Sequence, residues 1–162
     1  MSCASKLKAC EQAPVLIGKS DAIKRVNEQI VRFALTDKSV LITGESGTGK
    51  EVAAKLIHFK SKRGALPLVT INCSAFPAEL MDSELFGHER GAFSSAVAQR
   101  IGLAESAQGG SFFLEEIAEL QIALQPKLLQ LLQDKELPRL GSNKLVKLDV
   151  RFVAATNRSL QH

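Results

Sequence analysis

Apolar residues in this chain follow two patterns. Over residues 19–35, Ile23, Val26, Ile30, Val31 and Ala34 recur at helical spacing, with Ser20 or Asp21 placed to cap the start. Similar spacing predicts helices over 50–61, from Val52, Ala53, Leu56 and Ile57, and over the leucine-rich stretch 122–134, with a short helix over 78–86. The second pattern is a set of short, continuously apolar runs: SVLIT at 39–43, LVTIN at 68–72, SFFLE at 111–115 and VRFVAA at 150–155. Strands of that kind are covered on both faces. Four of them alternating with helices predict an α/β fold, a parallel sheet with helices on either side. Two short runs flanking Gly141, Ser142 and Asn143 predict a β-hairpin within 136–148.

Between the first strand and the second helix stand Gly44, Glu45, Ser46, Gly47, Thr48, Gly49 and Lys50. Glycines there let successive N–H groups turn inward onto phosphate oxygens, and the following helix adds its positive end. Lys50 is then placed to reach the β- and γ-phosphates. Glu51 stands where a hydroxyl usually meets Mg²⁺, and its carboxylate serves that ion directly or through water. Ligands of a parallel sheet bind beyond the carboxyl ends of its strands. The ends here carry Asn72, the pair Glu115 and Glu116, and Asn157. On that geometry Glu115 holds Mg²⁺, Glu116 orients or polarises an attacking water, and the asparagines sit beside them.

Composition narrows the class. With 162 residues, 45% hydrophobic and 23% charged, the chain supports one domain with a core. The expected layout is a loose segment over 1–13 and a single domain over 14–162. No apolar run is long enough to cross a membrane, and residues 1–14 lack the apolar stretch of a secretory signal. Cys3, Cys10 and Cys73 are irregularly spaced, which fits reduced thiols in a cytoplasmic protein better than a disulfide framework or a zinc site. Residues 1–81 hold 12 Lys and Arg against 7 Asp and Glu; residues 82–162 hold 9 against 10. Lys55, Lys60, Lys62 and Arg63 account for much of that excess and read as the solvated end of the second helix. Trp and Tyr are absent, so stacking platforms for single-stranded nucleic acid are missing.

The chain resembles a known family over about residues 14–158. The stretches VLIGKSDAI, TGESGTGKEVAAKLIH, INCSAF, SELFGHERGAFSSA, GGSFFLEEI, QPKLLQLLQ, RLG and DVRFVAATNR are similar to the AAA+ central domain of bacterial enhancer-binding proteins, the activators of sigma-54 RNA polymerase. ELFGHERGAF is the most specific of these. The resemblance implies a P-loop NTPase core with insertions at about 87–98 and 136–148, and ATP with Mg²⁺ as its ligands. It assigns nucleotide binding to Ile17, Gly18 and residues 44–51, and Mg²⁺ to Glu115 and Glu51. Glu116, Asn72 and Asn157 fall at catalytic and sensing positions, with Thr156 beside Asn157. Gly91, Ala92, Phe93, Ser94, Ser95 and Ala96 match the GAFTGA loop that contacts sigma-54. Implied partners are sigma-54 and further copies of the chain in a ring, with DNA bound only through a C-terminal domain.

Several positions depart from the family pattern. Ser94 and Ser95 replace Thr and Gly of the loop, and Ser95 makes a positive φ there costlier. Glu115 replaces an Asp. Pro126 falls early in a helix, tolerable only in the first turn. Ala104 stands at an often aromatic position. The 162 residues stop before the family's arginine fingers, fifth strand and helical lid, so little ATP turnover is expected of the chain by itself. Two further readings remain at this point. One is a regulatory module that binds nucleotide or a partner without hydrolysis. The other is a P-loop enzyme of another kind, against which ELFGHERGAF speaks.

Overall fold

The computed structural model describes residues 13–159. Residues 1–12, with Cys3 and Cys10, and residues 160–162 lie outside that range. Helix α1 (Asp21–Ala34) starts where Ser20 Oγ accepts the Ile23 N–H at 3.3 Å. It buries only a narrow strip, Ile30 and Ala34, while Val26 and Val31 stay half exposed. The predicted apolar face was therefore too wide, because α1 rests chiefly on one neighbouring helix.

Strands β1 (Val40–Thr43), β2 (Leu68–Asn72), β5 (Ser111–Glu115) and β8 (Arg151–Thr156) form one parallel sheet in the order β1-β8-β5-β2. Successive side chains of a strand point to opposite faces. Phe112 and Leu114 thus enter one core with Phe152, while Phe113 enters another with Val153 and Ala155. Helices α1 and α2 (Lys50–Phe59) cover the second face. The first face carries α3 (Ala78–Phe86), the four-residue α4 (Leu103–Ser106) and α5 (Gln125–Asp134). The sheet is covered on both sides, as the apolar runs require.

The predicted helix over 122–134 is two pieces. A single 3₁₀ turn spans Ile122–Leu124, and α5 follows with Pro126 in its first turn, where the missing N–H costs nothing. Ala104 is fully buried, which leaves no room for an aromatic ring there. The hairpin appears as β6 (Glu136–Pro138) against β7 (Leu145–Lys147). A two-residue ribbon, β3 (Gly87–His88) against β4 (Arg100–Ile101), closes the base of the loop 89–99 and has no counterpart in the sequence reading.

At the basic end of α2, Lys60 and Lys62 are exposed as expected, but Arg63 is not. The helix stops at Phe59, and the chain folds back so closely that a Cβ on Gly64 would lie 2.4 Å from the Phe59 carbonyl oxygen. Arg63 is thereby turned under the sheet. Its Nε and Nη2 donate to Asp37 at 2.8 and 2.7 Å, Nη2 also to Asp149 at 2.7 Å, and Nη1 to the Gly109 carbonyl at 2.7 Å.

Candidate functional site

Gly44 to Gly49 link β1 to α2 across the carboxyl ends of the strands. Gly47 and Gly49 take φ of 78° and 87°, left-handed values that side chains with a Cβ resist. Thr48 Oγ1 donates back to the Glu45 carbonyl at 2.7 Å and pins the turn. Lys50 Nζ donates to the carbonyls of Gly44 and Glu45 at 2.9 and 2.8 Å. An ammonium has three donors, so one remains for a phosphate oxygen. A cleft of about 340 Å³ opens here, lined by Gly47, Gly49, Lys50, Glu51, Val52, Asn72, Phe113, Glu115, Glu116 and Ala155.

The strand register brings the polar residues to this cleft. Asn72 stands opposite Glu115 across the β2–β5 ladder. Asn72 Oδ1 accepts from Ser74 N and Ser74 Oγ at 2.9 and 2.6 Å, which leaves its Nδ2 as the group free to donate. Glu116 sits just past β5 with φ 50° and ψ 50°, one of two non-glycine residues at positive φ among the described residues. That backbone costs on the order of 1 kcal/mol, a strain typical of functional sites. Its Oε2 accepts the Asn157 N–H at 3.2 Å, while Asn157 Nδ2 reaches Ser46 Oγ at 3.4 Å. The end of β8 is thus tied to both the acid pair and the glycine loop.

Electrostatics at the cleft favour a cation. Burial pushes the Glu115 carboxyl above its ordinary value, and the charges of Glu51 and Glu116 push it further, against the pull of Lys55. Glu51 pairs with Lys55 at 2.9 Å. Carboxylate oxygens from Glu115 and Glu51 are the donor set that suits Mg²⁺.

Of the residues expected to bind nucleotide, Gly47, Gly49, Lys50 and Glu51 line the cleft. Ile17 is 92% exposed and Gly18 abuts Ile23; neither lines the cleft. Leu16 is the residue of that segment that approaches Gly49. Val52, Phe113 and Ala155 form an apolar floor that sequence reading assigned only to core, since a strand residue at a strand end looks the same in either role.

The segment 91–96 forms a separate, closed loop on the α3 side. Gly91 N donates to Ala96 O at 2.8 Å and Ala96 N to Phe93 O at 2.9 Å. The left-handed residue is Gly91, at φ 80°, so Ser95 bears no backbone strain. Phe93 is 42% exposed. The loop base is tied to the hairpin: Glu89 N donates to Leu140 O at 2.9 Å, and Arg139 bridges Glu89 and Glu105 at 2.9 and 2.7 Å. The Arg139 hydrogen bond, helped by one from Gln99, holds Glu89 below the ordinary carboxylate value.

A glycine loop, an acid pair and this inserted loop now share one chain, and the model of the sigma-54 interaction domain matches residues 16–162. The chain belongs to the sigma-54 interaction domain family. Within that family it is 53% identical to the formate hydrogenlyase transcriptional activator of Salmonella typhimurium (strain LT2), over 146 residues that make up 90% of this chain and 21% of that protein. It is 50% identical to the Nif-specific regulatory protein of Azotobacter vinelandii, over 91% of this chain and 28% of that one. The chain therefore spans about a fifth to a quarter of the length of these relatives. Crystal structures of NtrX from Brucella abortus superpose with a TM-score of 0.82 at 38% identity, covering 90% of this chain; two of them hold ADP or ATP. The P-loop NTPase domain of an Escherichia coli sigma-54 activator, at 21% identity and a TM-score of 0.56, shares the fold. No helix among the described residues is long and apolar enough to cross a membrane.

Proposed function

We propose that this chain binds ATP with Mg²⁺ in the cleft at residues 44–51 and, in a ring of copies, uses its hydrolysis to drive the loop 91–96 against sigma-54 of RNA polymerase. The observation that carries this reading is the convergence of Lys50, Asn72, Glu115, Glu116 and Asn157 on one rim, with Asn157 N–H bonded to Glu116. Gly47, Gly49 and Lys50 cradle the phosphates. Glu115, with Glu51 directly or through water, would hold Mg²⁺, which would supply positive charge to offset that developing on the phosphates. Glu116 orients the water that attacks the γ-phosphorus as the bond to the bridging oxygen breaks. Asn72 donates to the acid pair through Nδ2. Asn157, tied to Glu116 and Ser46, senses whether the γ-phosphate is present. The match to the sigma-54 interaction domain supports sigma-54 as the partner of Phe93, the exposed aromatic in an otherwise small-residue loop.

The test has two arms. Calorimetry with ATP and Mg²⁺ compares the chain with Lys50→Ala; equal affinity in the two would remove the nucleotide site. Capture of sigma-54 on the immobilised chain with ADP and aluminium fluoride compares it with Phe93→Ala, which should keep nucleotide binding and lose capture. Nucleotide binding without any capture would favour the regulatory module that remodels nothing.

A further inference from the structure

The Phe93 ring rests on another ring. Its centroid lies 4.9 Å from that of His88, edge to face at 67°. His88 is 8% exposed, and its Nδ1 shares a 2.6 Å hydrogen bond with Oγ of Ser83, 6% exposed, on α3. Its backbone is fixed as well, paired with Arg100 in β4 and bridged to Leu140 beside the hairpin. We propose that His88, oriented by Ser83, is the positioning residue of the partner loop: its imidazole seats the Phe93 ring and sets how that ring is presented to an apolar site on a protein partner. The inference rests on reading 91–96 as the partner loop.

The argument is one of pre-organisation. Gly91, Ala92, Ser94, Ser95 and Ala96 offer an aromatic side chain little to lean on. An aromatic anchor already held by a rigid neighbour loses less freedom on binding than a free one. Edge-to-face contact depends on the plane of the imidazole, and the Ser83 bond fixes that plane. A merely structural Ser83–His88 pair would satisfy two buried polar groups and leave Phe93 indifferent to either. A seat couples all three.

The chain has no Trp and no Tyr, so Phe93→Trp introduces a lone fluorophore at the loop. Its emission maximum and its quenching by acrylamide are read alone and with His88→Gln, His88→Phe or Ser83→Ala, with the thermal midpoint taken on each sample. Ser83→Ala removes a single oxygen and guards against an unfolded His88 variant. The expected result is a red shift and stronger quenching in His88→Gln and Ser83→Ala, with rescue by His88→Phe, which keeps a ring under the indole. In chains that retain Phe93, His88→Gln and Ser83→Ala should lose sigma-54 capture several-fold at unchanged ATP affinity. Unaltered emission and quenching in both variants would overturn the seat, and altered emission with the parent's capture of sigma-54 retained in full would overturn its role in presenting Phe93. If the parent chain captures no sigma-54 while the fluorescence responds, the partner reading fails and the seat stands.

Discussion

Where the strands of the sheet begin, Arg63 spends its donors on Asp37, Asp149 and Gly109 O, whereas where they end, Glu115 and Glu116 face a cleft in which Lys50 is turned onto backbone carbonyls. Both ends hold clefts of similar size, about 380 Å³ beside Arg63 and about 340 Å³ beside Lys50. Size does not separate them. The difference is commitment: at the first rim Arg63 is paired with both Asp37 and Asp149, and it holds the Asp37 carboxyl below its ordinary value. At the second, like charges crowd together and raise Glu115. A rim closed by its own ion pairs supports the fold. A rim left unbalanced supports the fold poorly and a ligand well.

Substitutions at the two rims should therefore part company in what they change. The largest effect is expected of Lys50→Ala, with ATP affinity lowered on the order of 100-fold, about 2.7 kcal/mol, and stability changed by less than about 1 kcal/mol. A large loss of stability with little loss of affinity would erase the contrast. Arg63→Ala should do the reverse. Its side chain is 13% exposed and supports two carboxylates and a carbonyl, so urea denaturation should show a loss of about 2 kcal/mol with ATP affinity intact.

Glu115→Gln sharpens the comparison from the other side. Removing one of the crowded charges should raise the stability of the ligand-free chain, by less than about 1 kcal/mol once solvent screening is counted, and weaken the Mg²⁺-dependent part of ATP binding. A destabilised Glu115→Gln chain would mean the carboxylate is structural. A pH-dependent effect belongs to His58 at the closed rim. Its Nε2 donates to Leu66 O at 3.1 Å, so Nδ1 accepts from Ser111 Oγ at 2.8 Å and the ring is neutral. Burial lowers its proton affinity, and Arg151 and Arg63 lower it further, although the Leu66 carbonyl opposes them. The unfolded chain then takes up a proton at a higher pH than the folded one. Stability from this residue is complete above about 6.5 and falls as pH drops below it, at no more than about 1.4 kcal/mol per unit. Thermal melts from pH 7.5 to 5 should show a shallower decline in His58→Gln.

The sheet was legible because buried parallel strands are apolar on consecutive residues, and SFFLE or VLIT admits few other readings. The glycine loop and the acid pair were legible because both lie at strand ends, where topology brings distant residues together without further information. The ribbon Gly87–His88 with Arg100–Ile101 was not, since two residues show no periodicity. Neither was the four-residue α4. Arg63 was misread because helical spacing runs on past Phe59; only Gly64 marks the reversal that takes the guanidinium under the sheet. Ser83 and His88 belong to the stretch SELFGHERGAFSSA, yet nothing in their spacing shows that a ring five residues on returns to rest on the imidazole.

The alternation of Phe112, Phe113 and Leu114 along β5 bears on how such a chain can change over generations. Each residue of β5 answers to one layer only, α2 and its neighbours on one side, α3 to α5 and the hairpin on the other. Side chains in separate layers share no partner, so their substitutions add rather than compound. A lineage can rework the layer that carries Phe93 to suit a different client while the layer that carries Lys50 stays as it was, and the sheet between them serves as the partition that keeps one experiment from spoiling the other.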